Sequence, residues 1–271
     1  MVQGYRLTHN GRIPLDFSAS SLDEMTGRLS DGFYTTFSTL AQGTKVLGLK
    51  AHLDRLYQPA KEAGLHPSAD EGTVRKEIVD LAKALLPKES RVRLILTKDT
   101  GEVYLGIQPL VPPAEAVYKH GVHVITTEMA RHDPRIKGTD FITQSAEQRK
   151  LVKDDVYEIL LTKKGKILEG MTSNFYAVKE DKLITAQQGI LLGVTRRAVL
   201  KLARGEGMSI QYRSPRVDEK FDEAFLTSSS RGVVPIVQID GVPVGQGSVG
   251  AWTKRLSLAY QAYVEERSER I

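Results

Sequence analysis

The sequence predicts an α+β protein of two domains. Segments whose apolar residues have helical spacing alternate along the 271-residue chain with segments in which apolar and polar residues alternate, as they do in strands. Apolar residues make up 41% of the chain and charged residues 26%, as is usual in globular domains. A proline-rich segment, QPLVPPAEAVYKHG, predicts a linker, because paired prolines fit neither a central strand nor the middle of a helix. We therefore predict a smaller N-terminal domain over residues 1–118 and a larger C-terminal domain over residues 119–271. A cleft between the two is the expected ligand site.

The N-terminal half shows two helical patterns and one hairpin. An apolar pattern over residues 51–65 predicts a helix, and Pro59 within it predicts that this helix is bent or shortened. A second amphipathic run, from Val74 to Leu85, predicts another helix. The alternation in RVRLIL, followed by the turn KDTGE, predicts a strand that pairs with VYLGI.

The C-terminal half mixes strands and helices. Apolar, β-branched and aromatic residues predict strands in the segments HVITT, VYEILLT, FYAV, AFLT and PIVQID. Helical patterns cover about residues 141–152, 195–206 and 251–266. Together with the first half, this order predicts antiparallel or mixed sheets.

Composition excludes several classes of function. The net charge of +5 comes from 38 basic and 33 acidic residues that are dispersed along the chain, whereas a nucleic-acid-binding surface needs concentrated positive charge. No apolar run approaches the roughly 18 residues of a membrane span, and the first residues lack the apolar core of a signal peptide. The chain has no cysteine, which excludes disulfides, thiolate metal ligands and a cysteine nucleophile. We predict a cytoplasmic protein with no metal site and no nucleic-acid or membrane partner.

A series of motifs, in a fixed order, carries the residues with chemical potential. They are DGFYTTF, KVLGLKAHLDRLYQPAKEAGL, IKGTDF, YEILLTKKGKILEGMTSNFYAV, GILLGVTRRAVLKLA and AFLTSSSRGVVPIVQIDG, followed by VGAWTKRL. In this order the chain resembles the class IV aminotransferases over most of its length. These fold type IV enzymes use pyridoxal 5'-phosphate (PLP), and they include branched-chain aminotransferases, D-amino-acid transaminases and aminodeoxychorismate lyases. The resemblance implies a two-domain fold type IV architecture with the active site in the interdomain cleft, and a homodimer.

The resemblance assigns the reacting groups. Lys137 in IKGTDF occupies the position of the family's Schiff-base lysine. A lysine suits this role because its amine can form an imine and its pKa falls readily on enclosure. Glu169 matches the glutamate that keeps the pyridine nitrogen of the cofactor protonated, which the cofactor needs in order to accept electrons.

Five other residues match the family's phosphate ligands. Arg55 can donate a charge-assisted pair of hydrogen bonds to a phosphate. Val194 and Thr195 lie at the predicted start of a helix, where backbone N–H groups favour anions. Ser228 and Ser229 correspond to the hydroxyl ligands of the same phosphate.

The substrate side departs from the family pattern. Tyr34 stands where relatives place an aromatic residue against the substrate, but Thr35 replaces the glutamate that usually follows. Arg93 is a candidate carboxylate ligand, although the hairpin lacks the Arg-x-His pair with which D-amino-acid transaminases bind the substrate carboxylate. Arg231 replaces a small residue and Gly232 a glutamate. We consider Arg231 either a ligand of a second substrate carboxylate or a member of a structural ion pair.

Several activities are compatible with these residues. We predict transfer of the amino group of a branched-chain or similar apolar L-amino acid to a 2-oxo acid such as 2-oxoglutarate. The alternatives are a 4-amino-4-deoxychorismate lyase that releases pyruvate, a D-amino-acid transaminase, and a PLP-binding protein without turnover. The predicted aminotransferase and the lyase share Lys137 and Glu169, so fold and cofactor alone do not separate these two activities.

Overall fold

A computed structural model of the protein describes residues 1–271. Contacts within the chain divide it into two compact units. The first unit consists of Met1–Val111, Ile136–Gln144 and Arg267–Ile271. The second unit consists of Pro112–Arg135 and Ser145–Glu266.

Helices and strands alternate along the chain. The helices are α1 (Leu22–Gly27), α2 (Leu49–Glu62), α3 (Glu71–Lys83), α4 (Glu115–His120), α5 (Asp140–Gln144), α6 (Ala146–Arg149), α7 (Val194–Gly205) and α8 (Ala251–Arg267). The strands up to the middle of the chain are β1 (Gln3–Thr8), β2 (Gly11–Pro14), β3 (Gly32–Ser38), β4 (Lys45–Val46), β5 (Ser90–Thr97), β6 (Val103–Pro109), β7 (Val122–Glu128) and β8 (Val156–Lys163). The remaining strands are β9 (Lys166–Gly170), β10 (Asn174–Lys179), β11 (Lys182–Thr185), β12 (Ser209–Tyr212), β13 (Glu223–Ser228), β14 (Gly232–Ile239), β15 (Val242–Pro243) and β16 (Glu269–Arg270). None of the helices combines the length and the apolar content that a membrane span requires.

The first unit is built on an antiparallel sheet of five strands in the order β2-β1-β6-β5-β3. The two helices and the β5–β6 hairpin predicted in this half are confirmed. Helix α2 packs on β3 and β5 because one of its faces is apolar at helical spacing, with Leu49, Leu53, Leu56 and Ala60 all buried. This packing fixes the orientation of the polar residues that α2 carries between its apolar positions.

Pro59 does not end α2. Pro59 lies inside the helix, whose last residue is Glu62. A proline removes one backbone hydrogen bond, here the bond to the carbonyl of Arg55. The buried Ala60 lies in the same turn, and burial of the apolar face offsets the loss of a single bond.

The second unit is built on a mixed sheet in the order β12-β11-β10-β13-β14-β7-β8-β9, and β15 pairs with β14. The pairs β11–β12, β14–β7 and β7–β8 are parallel, and the others are antiparallel. The predicted strands and the helices near 195–206 and 251–266 are confirmed. The helical pattern at 141–152 forms two short helices instead, α5 and α6, and the predicted linker contains α4.

The division into units differs from the predicted domain boundary after residue 118. The first unit gives way to the second between Val111 and Pro112, and the chain returns to the first unit twice. One return is local packing, because Ile136 contacts the apolar core of the first unit. The other is strand pairing, because β16 is antiparallel to β4. The segment Ile136–Gln144, called the lysine segment below, therefore packs with the N-terminal part of the chain.

Candidate active site

Backbone hydrogen bonds hold the lysine segment along β3. The Tyr34 N–H donates to the Lys137 carbonyl at 2.9 Å, and the Thr139 N–H donates to the Gly32 carbonyl at 2.9 Å. The Thr139 hydroxyl also accepts from the Gly32 N–H at 2.8 Å, and Phe33 and Gly138 form a bridge. These bonds fix the backbone on both sides of Lys137, so the position of its side chain depends on the sheet of the first unit.

The side chains of Lys137 and Tyr34 are in contact. Lys137 Nζ lies 4.5 Å from the centre of the Tyr34 ring, within the range of a cation–π interaction. Tyr34 is buried, and it belongs to an apolar cluster that includes Met25, Ile95 and Ile142. The two predicted residues therefore come together in the first unit, next to apolar side chains.

Helix α2 brings Arg55 and a buried histidine into the same region. His52 packs against the Phe37 ring with 5.0 Å between ring centres, and its Nδ1 is hydrogen-bonded to Thr35 Oγ1 at 2.7 Å. Burial lowers the pKa of His52 well below its ordinary value, and the positive charges of Arg55 and Lys137 lower this pKa further. His52 is therefore neutral at physiological pH, and both predicted cations lie close enough to influence it.

The depressed pKa of His52 predicts a pH dependence of stability. The unfolded chain binds a proton at this histidine as the pH falls below about 6.5, whereas the folded chain resists it. The free energy of unfolding should therefore decrease as the pH falls below about 6.5, by up to about 1.4 kcal/mol per pH unit from this residue. Urea unfolding between pH 7.5 and 5 should show a shallower loss for His52→Asn, whose amide can keep the bond to Thr35. His9→Asn, a change at an exposed histidine, is the control. Equal slopes in the wild type and His52→Asn would contradict the prediction.

In the second unit, Glu169 forms a buried ion pair. It lies in β9 and is only 2% exposed. Arg131 Nε donates to Glu169 Oε1 at 2.8 Å, while the Asn174 side-chain amide and the Leu191 N–H donate to Oε2 at 3.2 and 3.1 Å. A buried carboxylate with a cation and hydrogen-bond donors around it stays ionised. Such a carboxylate is the partner that a protonated pyridine nitrogen requires.

The loop before α7 is tied to this carboxylate. Asn174 Nδ2 also donates to the Leu191 carbonyl at 2.8 Å, so a single amide joins Glu169 to this loop. Gly193 has no room for a side chain, because a Cβ there would lie 2.3 Å from Asn174 Oδ1. The close approach that only glycine permits therefore fixes where α7 begins.

The start of α7 and the β13–β14 turn carry the other predicted ligands. Gly193 caps α7 without a side-chain hydrogen bond, and the first turn contains no acidic residue. Val194 and Thr195 are the first two helical residues, and Thr195 Oγ1 donates to Ser229 Oγ at 3.5 Å. Ser228 ends β13 directly before Ser229. Backbone N–H groups and hydroxyls thus meet at a positive helix end, an arrangement that fits a phosphate group.

Arg93 binds groups of its own unit. Its Nε donates to Thr36 Oγ1 at 3.0 Å, and its Nη1 donates to Asp23 Oδ1 at 2.6 Å, to Thr26 Oγ1 at 2.9 Å and to the Leu22 carbonyl at 3.0 Å. The guanidinium also lies 5.1 Å from the centre of the Tyr34 ring. These contacts join α1 to β3 and β5 and hold the guanidinium over the Tyr34 ring.

Arg231 forms an ion pair in the second unit. Its Nη2 donates to Glu158 Oε2 at 2.9 Å and to Thr172 Oγ1 at 2.6 Å, and its Nε donates to Ser228 Oγ at 3.0 Å. The Tyr157 ring lies 5.6 Å from the guanidinium carbon. The structural ion pair considered from the sequence is therefore present.

Three residues that contact predicted or neighbouring site groups were not predicted from the sequence. Arg131 and Asn174 contact Glu169, and His52 contacts Thr35. The only available signal was chemical: a buried carboxylate needs a counter-charge, but this requirement does not say which basic residue supplies it.

Comparison with known proteins identifies the family. The family model described as "Amino-transferase class IV" matches residues 32–239. The D-alanine aminotransferase of Bacillus licheniformis is 28% identical over 230 residues, covering 79% of this chain and 81% of that protein. A crystal structure from Thermotoga maritima, provisionally named a branched-chain amino acid aminotransferase, is 27% identical with a TM-score of 0.80, covering 97% of this chain and 96% of the other. A hypothetical aminotransferase from Mycobacterium tuberculosis, solved in a PLP-bound form, has the same fold at 21% identity and a TM-score of 0.77, with 97% and 100% covered.

The family match covers most of the chain, and the solved structures share its fold over nearly all of it. The predictions of family and fold class are confirmed. The chain belongs to the class IV aminotransferases and is a PLP-dependent enzyme with the fold type IV architecture.

Proposed function

We propose that this enzyme transfers the amino group of a branched-chain or similar apolar L-amino acid to a 2-oxo acid such as 2-oxoglutarate. The observation that carries the proposal is the position of Lys137 Nζ, 4.5 Å from the centre of a Tyr34 ring that lies in an apolar cluster. An amine beside an apolar surface suits a substrate whose own side chain is apolar. The relatives support the class of reaction, since their names include branched-chain and D-alanine aminotransferases.

In the first unit, Lys137 is the proposed catalytic residue. PLP, the cofactor of the enzyme, supplies an electron sink when it is bound. Lys137 Nζ would hold the cofactor and, when free, would move the α-proton of the substrate. Arg55 and Lys137 both lie close enough to His52 to lower its pKa, so the amine and the guanidinium share one region with a neutral imidazole. Arg55 is the proposed guanidinium ligand of the phosphate, and Tyr34 the proposed wall of the substrate site.

In the second unit, Glu169 is the proposed partner of the pyridine nitrogen. Arg131 supports this role because it keeps the carboxylate ionised and oriented. Val194 and Thr195 at the start of α7, with Ser228 and Ser229, are the proposed phosphate ligands. The bare helix end and the adjacent hydroxyls support this assignment.

The contacts of Arg93 argue against its predicted role as a ligand of the substrate carboxylate. An arginine that binds a substrate carboxylate must offer its donors to the ligand, but Arg93 Nε and Nη1 donate to Thr36 and to α1. Its predicted role as a substrate ligand therefore gains no support, and we propose that it positions Tyr34 instead. Arg231 Nη2 and Nε likewise donate to groups of the second unit, so its predicted role as a substrate ligand also gains no support.

The proposed function predicts a specific pattern of turnover. The purified holoenzyme should convert 2-oxoglutarate to glutamate with leucine, isoleucine or valine as donors, at least about tenfold faster than with D-alanine. Glutamate formation over a panel of L- and D-amino acids measures this preference. A matched reaction with 4-amino-4-deoxychorismate and no amino acceptor tests for pyruvate. Release of pyruvate without glutamate formation would replace the proposal with the lyase.

We also propose that the enzyme is a cytoplasmic homodimer, as the family resemblance implies. Light scattering of the purified protein would measure its mass against the 30.0 kDa of one chain.

A further inference from the structure

We propose that Arg231 is a positioning residue for the cofactor phosphate, acting through the hydroxyl of Ser228. This inference rests on the proposed phosphate site, and it deepens that proposal by adding a residue outside the set predicted to touch the phosphate. The turn Ser228–Arg231, called the serine turn below, joins β13 to β14 and contains both serine ligands. What holds this turn decides where the two hydroxyls lie.

Arg231 ties the serine turn to the rest of the second unit. Besides the bond from its Nε to Ser228, its backbone N–H donates to the Ser228 carbonyl at 3.3 Å. The backbone carbonyl of Arg231 accepts from the Tyr118 hydroxyl at 2.8 Å. Its Nη2 reaches Glu158 in β8 and Thr172 after β9. One side chain thus links the turn to β8 and to the segment after β9.

The bond to Ser228 also orients a hydrogen atom. A serine hydroxyl has one donor hydrogen and two acceptor lone pairs. Arg231 Nε is a donor only, so it occupies a lone pair of Ser228 Oγ and leaves the hydroxyl hydrogen for an acceptor. A phosphate dianion is a strong acceptor. The arginine therefore presents Ser228 as a hydrogen-bond donor to this group.

The charge of Arg231 is already balanced. Glu158 is buried and lies 2.9 Å from the guanidinium. Burial lowers the pKa of Arg231, but Glu158 and Tyr157 outweigh this effect and raise it overall, so the guanidinium stays protonated. An arginine whose charge is paired in this way acts chiefly through the geometry of its donors.

The residue after Arg231 permits the tight turn. Gly232 has φ +64°, a backbone conformation that favours glycine. A Cβ at this position would lie 3.3 Å from the ring of Tyr260 in α8. The replacement of the family's glutamate by Gly232 is therefore compatible with the close packing of the serine turn against α8.

The test compares two ligands that differ only in the phosphate. Arg231→Lys keeps a positive charge for Glu158, but a single amine cannot also reproduce the Nε–Ser228 bond. The dissociation constant of PLP, titrated into apoprotein, should rise on the order of tenfold. The dissociation constant of pyridoxal, which lacks the phosphate, should stay unchanged. The ³¹P resonance of bound PLP should shift. Arg216→Lys, at the exposed ion pair with Asp218, is the matched control and should change none of these values.

A double mutant tests whether Arg231 acts through Ser228. In Ser228→Ala the further substitution Arg231→Lys should cause little additional loss of PLP affinity, because the hydroxyl through which it acts is gone. If Arg231→Lys fails to fold, Arg231→Met with Glu158→Gln removes the charge pair as a whole and should give the same selective loss of PLP affinity.

Three results would overturn the inference. Unchanged PLP affinity with a raised KM for dicarboxylic substrates would return Arg231 to the substrate site. An equal loss of PLP and pyridoxal affinity would show a general structural effect. If adding Arg231→Lys to Ser228→Ala lowered PLP affinity as much as Arg231→Lys does in the wild type, Arg231 would not act through the serine. A different result, a wild type that binds pyridoxal as tightly as PLP, would overturn the proposed phosphate site itself. That measurement uses no variant, so it is distinguishable from the three results above.

Discussion

Lys137→Ala should abolish the absorbance band of lysine-bound cofactor and lower turnover at least about a thousandfold. The expected size follows because a positioned acid–base group alone contributes about 10²–10⁴-fold, and Lys137 also holds the cofactor covalently. The fold should survive. The segment is held by backbone bonds, from the Tyr34 N–H to the Lys137 carbonyl and from the Thr139 N–H to Gly32, and alanine keeps these bonds. Absorbance spectra and steady-state rates measure the two effects.

The control for this substitution is Lys150→Ala. Lys150 is an exposed lysine that pairs only with Glu147 on its own helical turn, so its loss should change neither the spectrum nor the rate. A Lys137→Ala variant that keeps the lysine-bound band after reconstitution with PLP would assign the covalent bond to another lysine. A wild type without the band would remove Lys137 from the chemistry altogether.

Glu169→Gln should reduce both catalysis and stability. Turnover should fall about 100-fold or more, because a neutral amide does not hold a proton on the pyridine nitrogen as a carboxylate does. The free energy of unfolding should fall by about 3 kcal/mol, because the buried Arg131 loses the negative charge of Glu169 beside it. Urea unfolding of the apoprotein measures the second effect separately from cofactor binding.

Two further variants separate these effects. Arg131→Met combined with Glu169→Gln should recover part of the lost stability, because it removes the buried charge that Glu169→Gln leaves behind, but it should not recover turnover. Glu147→Gln, at the exposed pair with Lys150, should cost less than about 1 kcal/mol and leave turnover unchanged. A Glu169→Gln variant with near-normal turnover would exclude the proposed role of this carboxylate.

The sequence by itself determined the family, the order of most secondary-structure elements and the residue types that the chemistry requires. These features are local. The spacing of apolar residues specifies α2, α3 and the β5–β6 hairpin, and the order of the motifs specifies the family. Local signals failed where tertiary packing overrides them. The pattern at 141–152 divides between two units because the lysine segment is bonded to β3.

Only the tertiary structure decided which groups surround each candidate residue. Arg93 and Arg231 are both arginines near predicted ligands, and their sequence contexts do not reveal their partners. The fold directs Arg93 to α1 and Thr36, and it directs Arg231 to Glu158 and Ser228. The reason is physical: a hydrogen bond depends on ångström distances between residues far apart in the chain, such as the 73 positions that separate Arg231 from Glu158. Residue type determines what a side chain is able to bind, and packing determines what it does bind.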